Sequence, residues 1–203
     1  MKAAHPRVRV VTPDDKPHLH ATSVRPPDEW LPADPTMPYK RKCWYKADAM
    51  GLAAVRKLGV RADFYWFIES DVVASQTRWK AMFRDFQNDP SDLVAPMIRT
   101  RALRPGSRMW QHAPDWATHY ILMAVYRLSH AALVECVRCA TEMREHFSEV
   151  TIPSVIHRAG MSMTGLNVRQ THSNTHTLAA HVERVTVNPE LICHPVKRDS
   201  FAP

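Results

Sequence analysis

The chain has 203 residues, 45% of them hydrophobic, which indicates a globular domain with a real core and excludes a disordered chain. Its formal net charge of +7 suits polyanionic partners such as nucleic acid or nucleotides. We expect a cytoplasmic protein with no membrane span, because no apolar run is long enough, the N-terminus has no apolar signal core, and four cysteines are too few for a disulfide framework.

Proline dominates the first part of the chain. Eight of the sixteen prolines precede residue 39. Because proline lacks an N–H donor and disfavours helix before it, we predict one short strand, RVRVV at 7–11, followed by an extended, irregular arm up to residue 38. Residues 39–203 are predicted to form a single domain.

Helices and buried strands then alternate along the chain. The predicted elements, in order, are a helix over 45–58 ending at Gly59, a buried strand at 64–68, a helix capped by Ser75, a strand at 93–96, a strand at 119–129, a helix over 130–147 capped by Ser129, a helix around 152–160, and a strand at 191–198. This order predicts an α/β sandwich with a mostly parallel central sheet.

Acidic residues follow the buried strand FYWFI. Glu69-Ser70-Asp71 stand where that strand ends, and ligands of open α/β sheets bind beyond the carboxyl ends of strands. Mg²⁺ and Mn²⁺ prefer oxygen ligands and often share them with substrate phosphates. The pattern favours a metal-bridged nucleotide or diphosphate, with two solvated acids at the start of the next helix as the alternative.

The segment ADFYWFIESDVVASQTRWKAMF resembles the metal-site segment of GT-A-fold glycosyltransferases, where a hydrophobic strand ends in an Asp-x-Asp or related motif and a Trp-containing helix follows. YKADAMGLAAVRKLG, VYRLSHAALV, EVTIPSVIHRAG and ICHPVK resemble further segments of that family. The resemblance implies a GT-A-like (Rossmann-like) sandwich with a shortened N-terminal half. It also implies an Mn²⁺ or Mg²⁺ ion held by Asp71, Glu69 and His194.

The same resemblance implies roles in sugar transfer. Glu149 is the candidate catalytic base and Asp115 the second candidate. The candidate contacts to a nucleotide-sugar donor are Lys46, Asp48, Ser70 and Lys197. The alternatives are an exposed helix acid at Asp48 and a charge that merely favours the helix N-terminus at Glu149.

A basic, turn-rich segment follows the strand at 93–96. Its candidate acceptor or phosphate contacts are Arg99, Arg101, Arg104, Trp110 and Trp116, since arginine binds phosphate through its forked guanidinium and aromatic rings stack on sugars or bases. Buried loop anchors are the alternative for the tryptophans.

The basic charge favours DNA as the acceptor, as in the phage glycosyltransferases that modify hydroxymethylated pyrimidines, in which case the protein would work in the host cytoplasm. The alternatives are a saccharide acceptor and a non-catalytic nucleic-acid-binding module. A nuclease or phosphotransferase would need further carboxylates near Asp71, and the sequence offers few.

Cysteine and histidine clusters give weaker signals. Cys136 and Cys139 form a CxxC within a helical pattern, which favours ordinary helix-face cysteines over a redox or zinc site. Zinc ligation by His172, His176, His181, Cys193 and His194 matches no standard spacing, so a polar loop is favoured there.

Overall fold

The computed structural model describes residues 11–13, 22–59, 61–69, 72–102, 110, 113–166, 169–171, 183 and 185–193. Its helices are α1 (Tyr39–Tyr45), α2 (Ala47–Leu58), α3 (Gln76–Asp85), α4 (His130–Arg138), α5 (Ala140–Met143) and α6 (Ser148–Arg158), with a 3-10 turn at Asp28–Trp30. Its strands are β1 (Val11–Pro13), β2 (Thr22–Val24), β3 (Phe64–Ile68), β4 (Val73–Ala74), β5 (Leu93–Ala95), β6 (Arg99–Thr100), β7 (His119–Tyr120), β8 (Val125–Ser129), β9 (Met163–Gly165), β10 (Arg169–Thr171) and β11 (Leu191–Cys193).

A four-stranded sheet in the order β3-β8-β5-β9 forms the centre of the fold. Strand β8 is antiparallel to both β3 and β5, whereas β5 and β9 are parallel. Three strands therefore share one direction, but β8 runs against them. The expected mostly parallel sheet is instead a mixed sheet, because the chain enters β8 at the edge where β3 and β5 end and must run back between them.

Side chains alternate across this sheet, as the two-residue period of a strand requires. Tyr65 and Phe67 pack in a core with α2, α4 and α6, while Trp66 and Val94 pack with α3 on the opposite face. Helices thus cover both faces, and the described part of the chain is a mixed α/β sandwich.

Local signals at the helix ends act as predicted. The Ser75 hydroxyl accepts a hydrogen bond from the Arg78 N–H at 3.1 Å, and the Ser129 hydroxyl accepts one from the Ala132 N–H at 3.0 Å. Gly59 ends α2 with a φ of 58°, a left-handed conformation that glycine adopts without strain. These three predicted caps are confirmed.

Two predicted elements are divided. The helix expected over 130–147 splits into α4 and α5, and the strand expected over 119–129 splits into β7 and β8. Between β7 and β8, segment 121–124 makes its backbone hydrogen bonds outside the central sheet's regular pairing, with Leu122 donating to the Pro96 carbonyl at 3.2 Å. Hydrogen bonds to residues distant in the sequence therefore decide where β8 begins.

The proline-rich arm is part of the core where the structure describes it. Val24, Trp30 and Leu31 are buried in the cluster that also contains α2. Of the strand predicted at 7–11, only Val11 lies among the described residues, and it begins β1, which pairs in parallel with β2. Burial of Trp30 explains why a segment rich in proline still has a defined path.

Helix α2 approaches β3 closely at Gly51. A Cβ atom at this position would lie 2.6 Å from the Phe67 ring, which stacks on the Tyr126 ring at a centroid distance of 4.8 Å. The missing side chain at Gly51 thus sets the height of α2 above the sheet.

Arg127 of β8 is the largest buried cation on the α3 face, with 1% of its surface exposed. Its guanidinium donates to the carbonyls of Phe86 at 2.6 Å, Asp89 at 2.9 Å and Ser91 at 3.0 Å, and it pairs with the Asp89 carboxylate at 3.0 Å. One side chain therefore holds the loop between α3 and β5 onto the sheet.

We expect Arg127→Met to lower the free energy of unfolding by about 3 kcal/mol or more, because it leaves a carboxylate and three carbonyls without their donor. Urea denaturation measures the change. Arg138→Met is the control, since its ion pair with Glu135 is on the surface and contributes little to stability. A loss below about 1 kcal/mol at Arg127 would contradict the assignment of this cluster as a structural clamp.

Candidate active site

One edge of the central sheet is where three of its strands end. Strands β3, β5 and β9 end there, and the next residues are Glu69, Pro96 and Leu166. Strand β8 begins at the same edge, because Val125 pairs with Ile68. We call this region, together with segment 121–124, the carboxyl edge. Ligands of open α/β sheets bind in this position.

Glu69 is anchored at the carboxyl edge by its backbone. Its N–H donates to the Ala124 carbonyl at 3.0 Å, which continues the pairing of β3 and β8 by one residue. The Val72 N–H donates to the Glu69 carbonyl at 3.2 Å. Ser70 and Asp71 lie outside the described residues, but the residues on either side of them are joined by this hydrogen bond.

A second sheet links the acidic motif with the C-terminal segment. Strand β4 pairs antiparallel with β11, with Val73 opposite Cys193 and Ala74 opposite Ile192. Asp71 is two residues before Val73 in the chain, and His194 directly follows Cys193. His194 and Lys197 themselves lie outside the described residues, as do His172, His176 and His181.

Glu149 lies in the first turn of α6 and faces segment 121–124. Its carboxylate Oε1 accepts a hydrogen bond from the Met123 N–H at 3.4 Å, and its carbonyl accepts one from the Ile121 N–H at 2.9 Å. Pro153 explains the second bond, since it stands four residues after Glu149 within α6 and has no N–H to fill that carbonyl. The helix therefore bonds the edge segment instead of itself.

The two acids are thus tied to neighbouring residues. Glu69 bonds Ala124 through its backbone N–H and Glu149 bonds Met123 through its carboxylate, so both residues lie at the carboxyl edge although they are 80 positions apart in the chain. A carboxylate can act as a ligand of a cation or as the acceptor of a proton.

Lys46 and Asp48 lie in the interior, not on an open surface. Each side chain is 1% exposed, and the Lys46 ammonium pairs with the Asp48 carboxylate at 3.2 Å. The Ser148 hydroxyl donates to Asp48 Oδ1, and the Lys46 ammonium donates to the His146 carbonyl at 3.3 Å. In this conformation their partners are each other and the start of α6, and neither side chain is open to a donor. The alternative of an exposed helix acid at Asp48 is wrong, because Asp48 is buried.

The basic segment forms a small sheet beside α6. Strand β6 pairs antiparallel with β7, with Arg99 opposite Tyr120. Arg99 is exposed, and the Arg101 guanidinium lies 5.3 Å from the Trp110 ring. Trp110 is buried and packs edge-on against Tyr120 at a ring-centroid distance of 5.5 Å. These contacts fit the alternative interpretation of Trp110 as a buried anchor. Arg104 lies outside the described residues.

Trp116 and Asp115 form a turn in the same loop. The Arg158 guanidinium lies 4.6 Å from the Trp116 ring and also pairs with Glu142 at 2.6 Å, so it covers this half-buried ring. Asp115 is exposed. It is open to solvent, unlike Glu149, and it belongs to the loop that packs on α6.

Sequence reasoning missed a histidine pair under this loop. The rings of His119 and His157 lie 4.3 Å apart, and the Thr118 hydroxyl is 2.8 Å from His119 Nδ1. Burial, and then the neighbouring His157, lower the pKa of His119. Both effects favour the neutral form of the His119 imidazole. The two residues are far apart in sequence, so no local spacing predicted their contact.

Sequence reasoning also missed Met97. It has a φ of 52°, the one non-glycine residue among those described with positive φ, and 44% of its surface is exposed. It follows Pro96 at the carboxyl edge, and β8 alone separates β5 from β3, a spacing of about 10 Å. A strained backbone and an exposed apolar side chain together are typical of a ligand-contacting position.

Among the described residues, no three His, Cys, Asp or Glu side chains are grouped closely enough to hold a metal ion. In the same part of the chain, no helix is both long and apolar enough to cross a membrane. Cys136 and Cys139 are both buried in α4 and its end, as expected for helix-face cysteines.

No protein-family model matches this chain, and no curated protein sequence matches it significantly.

We expect Met97→Gly to raise the free energy of unfolding by about 1 kcal/mol, because glycine adopts positive φ without a clash and Met97 does not. Met97→Ala is the matched control, since it removes every side-chain atom beyond Cβ but keeps the Cβ atom itself. Denaturation of both variants measures the difference. Equal stability of the glycine and alanine variants would contradict backbone strain at this position.

Proposed function

We propose that this chain is a metal-dependent glycosyltransferase of the GT-A type, which moves a sugar from a nucleotide-sugar donor to a hydroxyl group of an acceptor. One observation carries the proposal. Glu69 and Glu149 are hydrogen-bonded to the neighbouring residues Ala124 and Met123 at the carboxyl edge. The pairing of β4 with β11 supports the proposal. Val73 lies opposite Cys193, Asp71 is two residues before Val73, and His194 directly follows Cys193.

The side-chain types proposed for the metal site are those that a hard divalent cation prefers. Glu69 provides a carboxylate on backbone that the sheet holds in place, and Asp71 and His194 would add a second carboxylate and an imidazole. Such a set with more oxygen than nitrogen suits Mn²⁺ or Mg²⁺. When bound, the ion would neutralise the diphosphate leaving group of the donor.

Glu149 is suited to the role of base. In the proposed reaction the acceptor oxygen forms a bond to the anomeric carbon, and its proton passes to the Glu149 carboxylate. The bond from the anomeric carbon to the diphosphate breaks, and its electron pair leaves on the diphosphate oxygen. The hydrogen bond from the Met123 N–H to Oε1 holds the carboxylate at the edge. Asp115 remains the second candidate.

DNA carrying hydroxymethylated pyrimidines is the favoured acceptor. The net charge of +7 and the exposed Arg99 beside the carboxyl edge support a polyanionic acceptor. A saccharide acceptor is the alternative within the same enzyme class. A non-catalytic nucleic-acid-binding module is the alternative from another class, and the short N-terminal pair β1 and β2 favours it, since that region would hold the nucleotide.

We expect Asp71→Ala to abolish Mn²⁺-dependent binding of the donor while the protein stays folded. Calorimetry with UDP-, GDP- and ADP-sugars, with and without Mn²⁺, identifies the donor for the unmodified chain and then measures the loss. Asp85→Ala, at an exposed acid at the end of α3, is the control and should bind normally. Unchanged Mn²⁺ affinity in Asp71→Ala would overturn the metal assignment. Tight, salt-sensitive DNA binding with no donor binding would identify a binding module instead.

We expect Glu149→Gln to keep donor affinity within about twofold and to lower kcat by about 100-fold or more, because glutamine retains the hydrogen-bond acceptor but cannot take a proton. Transfer is measured on hydroxymethylated DNA, unmodified DNA and a saccharide acceptor. Full turnover in Glu149→Gln together with loss in Asp115→Asn would move the base to Asp115.

A further inference from the structure

The junction between α1 and α2 contains a buried polar cluster. Its members are Lys46, Asp48 and Ser148, which expose 1%, 1% and 3% of their surface. Lys46 pairs with Asp48 at 3.2 Å, Ser148 donates to the Asp48 carboxylate, and the Asp48 N–H lies 3.5 Å from the Ser148 hydroxyl. The ammonium of Lys46 also holds the His146 carbonyl.

The side-chain hydrogen bonds of Lys46 and Asp48 to other parts of the chain reach His146 and Ser148. The Tyr45 ring, at the end of α1, packs on the Phe147 ring at a centroid distance of 4.1 Å. The first turn of α6 is therefore held from one side by the junction between α1 and α2. Glu149, the next residue, is held from the other side by Ile121 and Met123.

Stability alone does not account for a buried ion pair at this place. Removing two charges from water costs free energy that their attraction only partly offsets, and apolar replacements of similar volume are often neutral or stabilising. Unlike a hydrophobic contact, an ion pair with hydrogen bonds has one favoured geometry. Such a pair is therefore suited to setting the position of an element more narrowly than packing does.

We propose that Lys46 and Asp48 are positioning residues, which act through Ser148 to fix the first turn of α6 and so hold the Glu149 carboxylate against Met123. This role replaces the direct donor contact that the sequence suggested for them. What the carboxylate does once positioned rests on the proposed function.

The double variant Lys46→Met/Asp48→Asn tests this role, because it removes both charges together, keeps the volumes close and leaves no buried charge unpaired. NMR-detected amide exchange reports position without any activity. We expect exchange of the Ile121 and Met123 amides to become at least 10-fold faster than in the unmodified chain, while exchange within β8 is unchanged. The surface pair variant Arg138→Met/Glu135→Gln is the control and should change neither.

Kinetics then separate positioning from donor contact. We expect the double variant to lower kcat at least 10-fold with donor affinity within about twofold of the unmodified chain. Loss of donor affinity with unchanged amide exchange would overturn the proposal and restore direct donor contact. Unchanged exchange with unchanged kcat would also overturn it.

The experiment also decides the proposal in two further cases. If the double variant does not fold, Ser148→Ala replaces it, since this change removes only the hydroxyl that joins the ion pair to α6, and the same faster exchange is expected. If the unmodified chain shows no sugar transfer, the proposed function fails, while the exchange measurement still decides whether the ion pair positions Glu149.

Discussion

Segment 121–124 joins the ends of three elements at the carboxyl edge. Its backbone bonds reach Pro96 at the end of β5, Glu149 at the start of α6 and Glu69 at the end of β3. The segment can do this because regular strand pairing does not occupy its backbone N–H and carbonyl groups on both sides. A short irregular stretch inside the predicted strand at 119–129 is therefore the constraint on which the arrangement of both acids depends.

Several local irregularities serve the same edge. Pro153 interrupts the hydrogen bonding of α6 and leaves the Glu149 carbonyl free for Ile121. Met97 has a positive φ, and a buried ion pair replaces apolar packing at the start of α6. Each of these features costs stability where it occurs. These three features lie at the carboxyl edge, within α6 or beside the start of α6.

The basic charge of the chain is divided between structural and exposed groups. Arg127 is buried under α3, and Arg158 is engaged by Glu142 and Trp116, so these cations hold the fold together. Arg99 is exposed three residues after Pro96 of the carboxyl edge. Part of the positive charge is therefore structural, and part of it is exposed to solvent.

The sequence by itself determined the elements whose signals are local: the caps at Ser75, Ser129 and Gly59 and the strand before Glu69 depend only on residues a few positions away. The prediction that this strand is buried is wrong, because β3 is at the edge of the four-stranded sheet, where only Tyr65 is buried and Ile68 is exposed. It also placed acids at the end of that strand. Only the tertiary structure decided that β8 runs against its neighbours, that Lys46 and Asp48 are buried, and that Glu149 meets Met123. These features depend on contacts between residues far apart in the chain, and a local pattern contains no information about which distant groups will satisfy a buried charge or a free carbonyl.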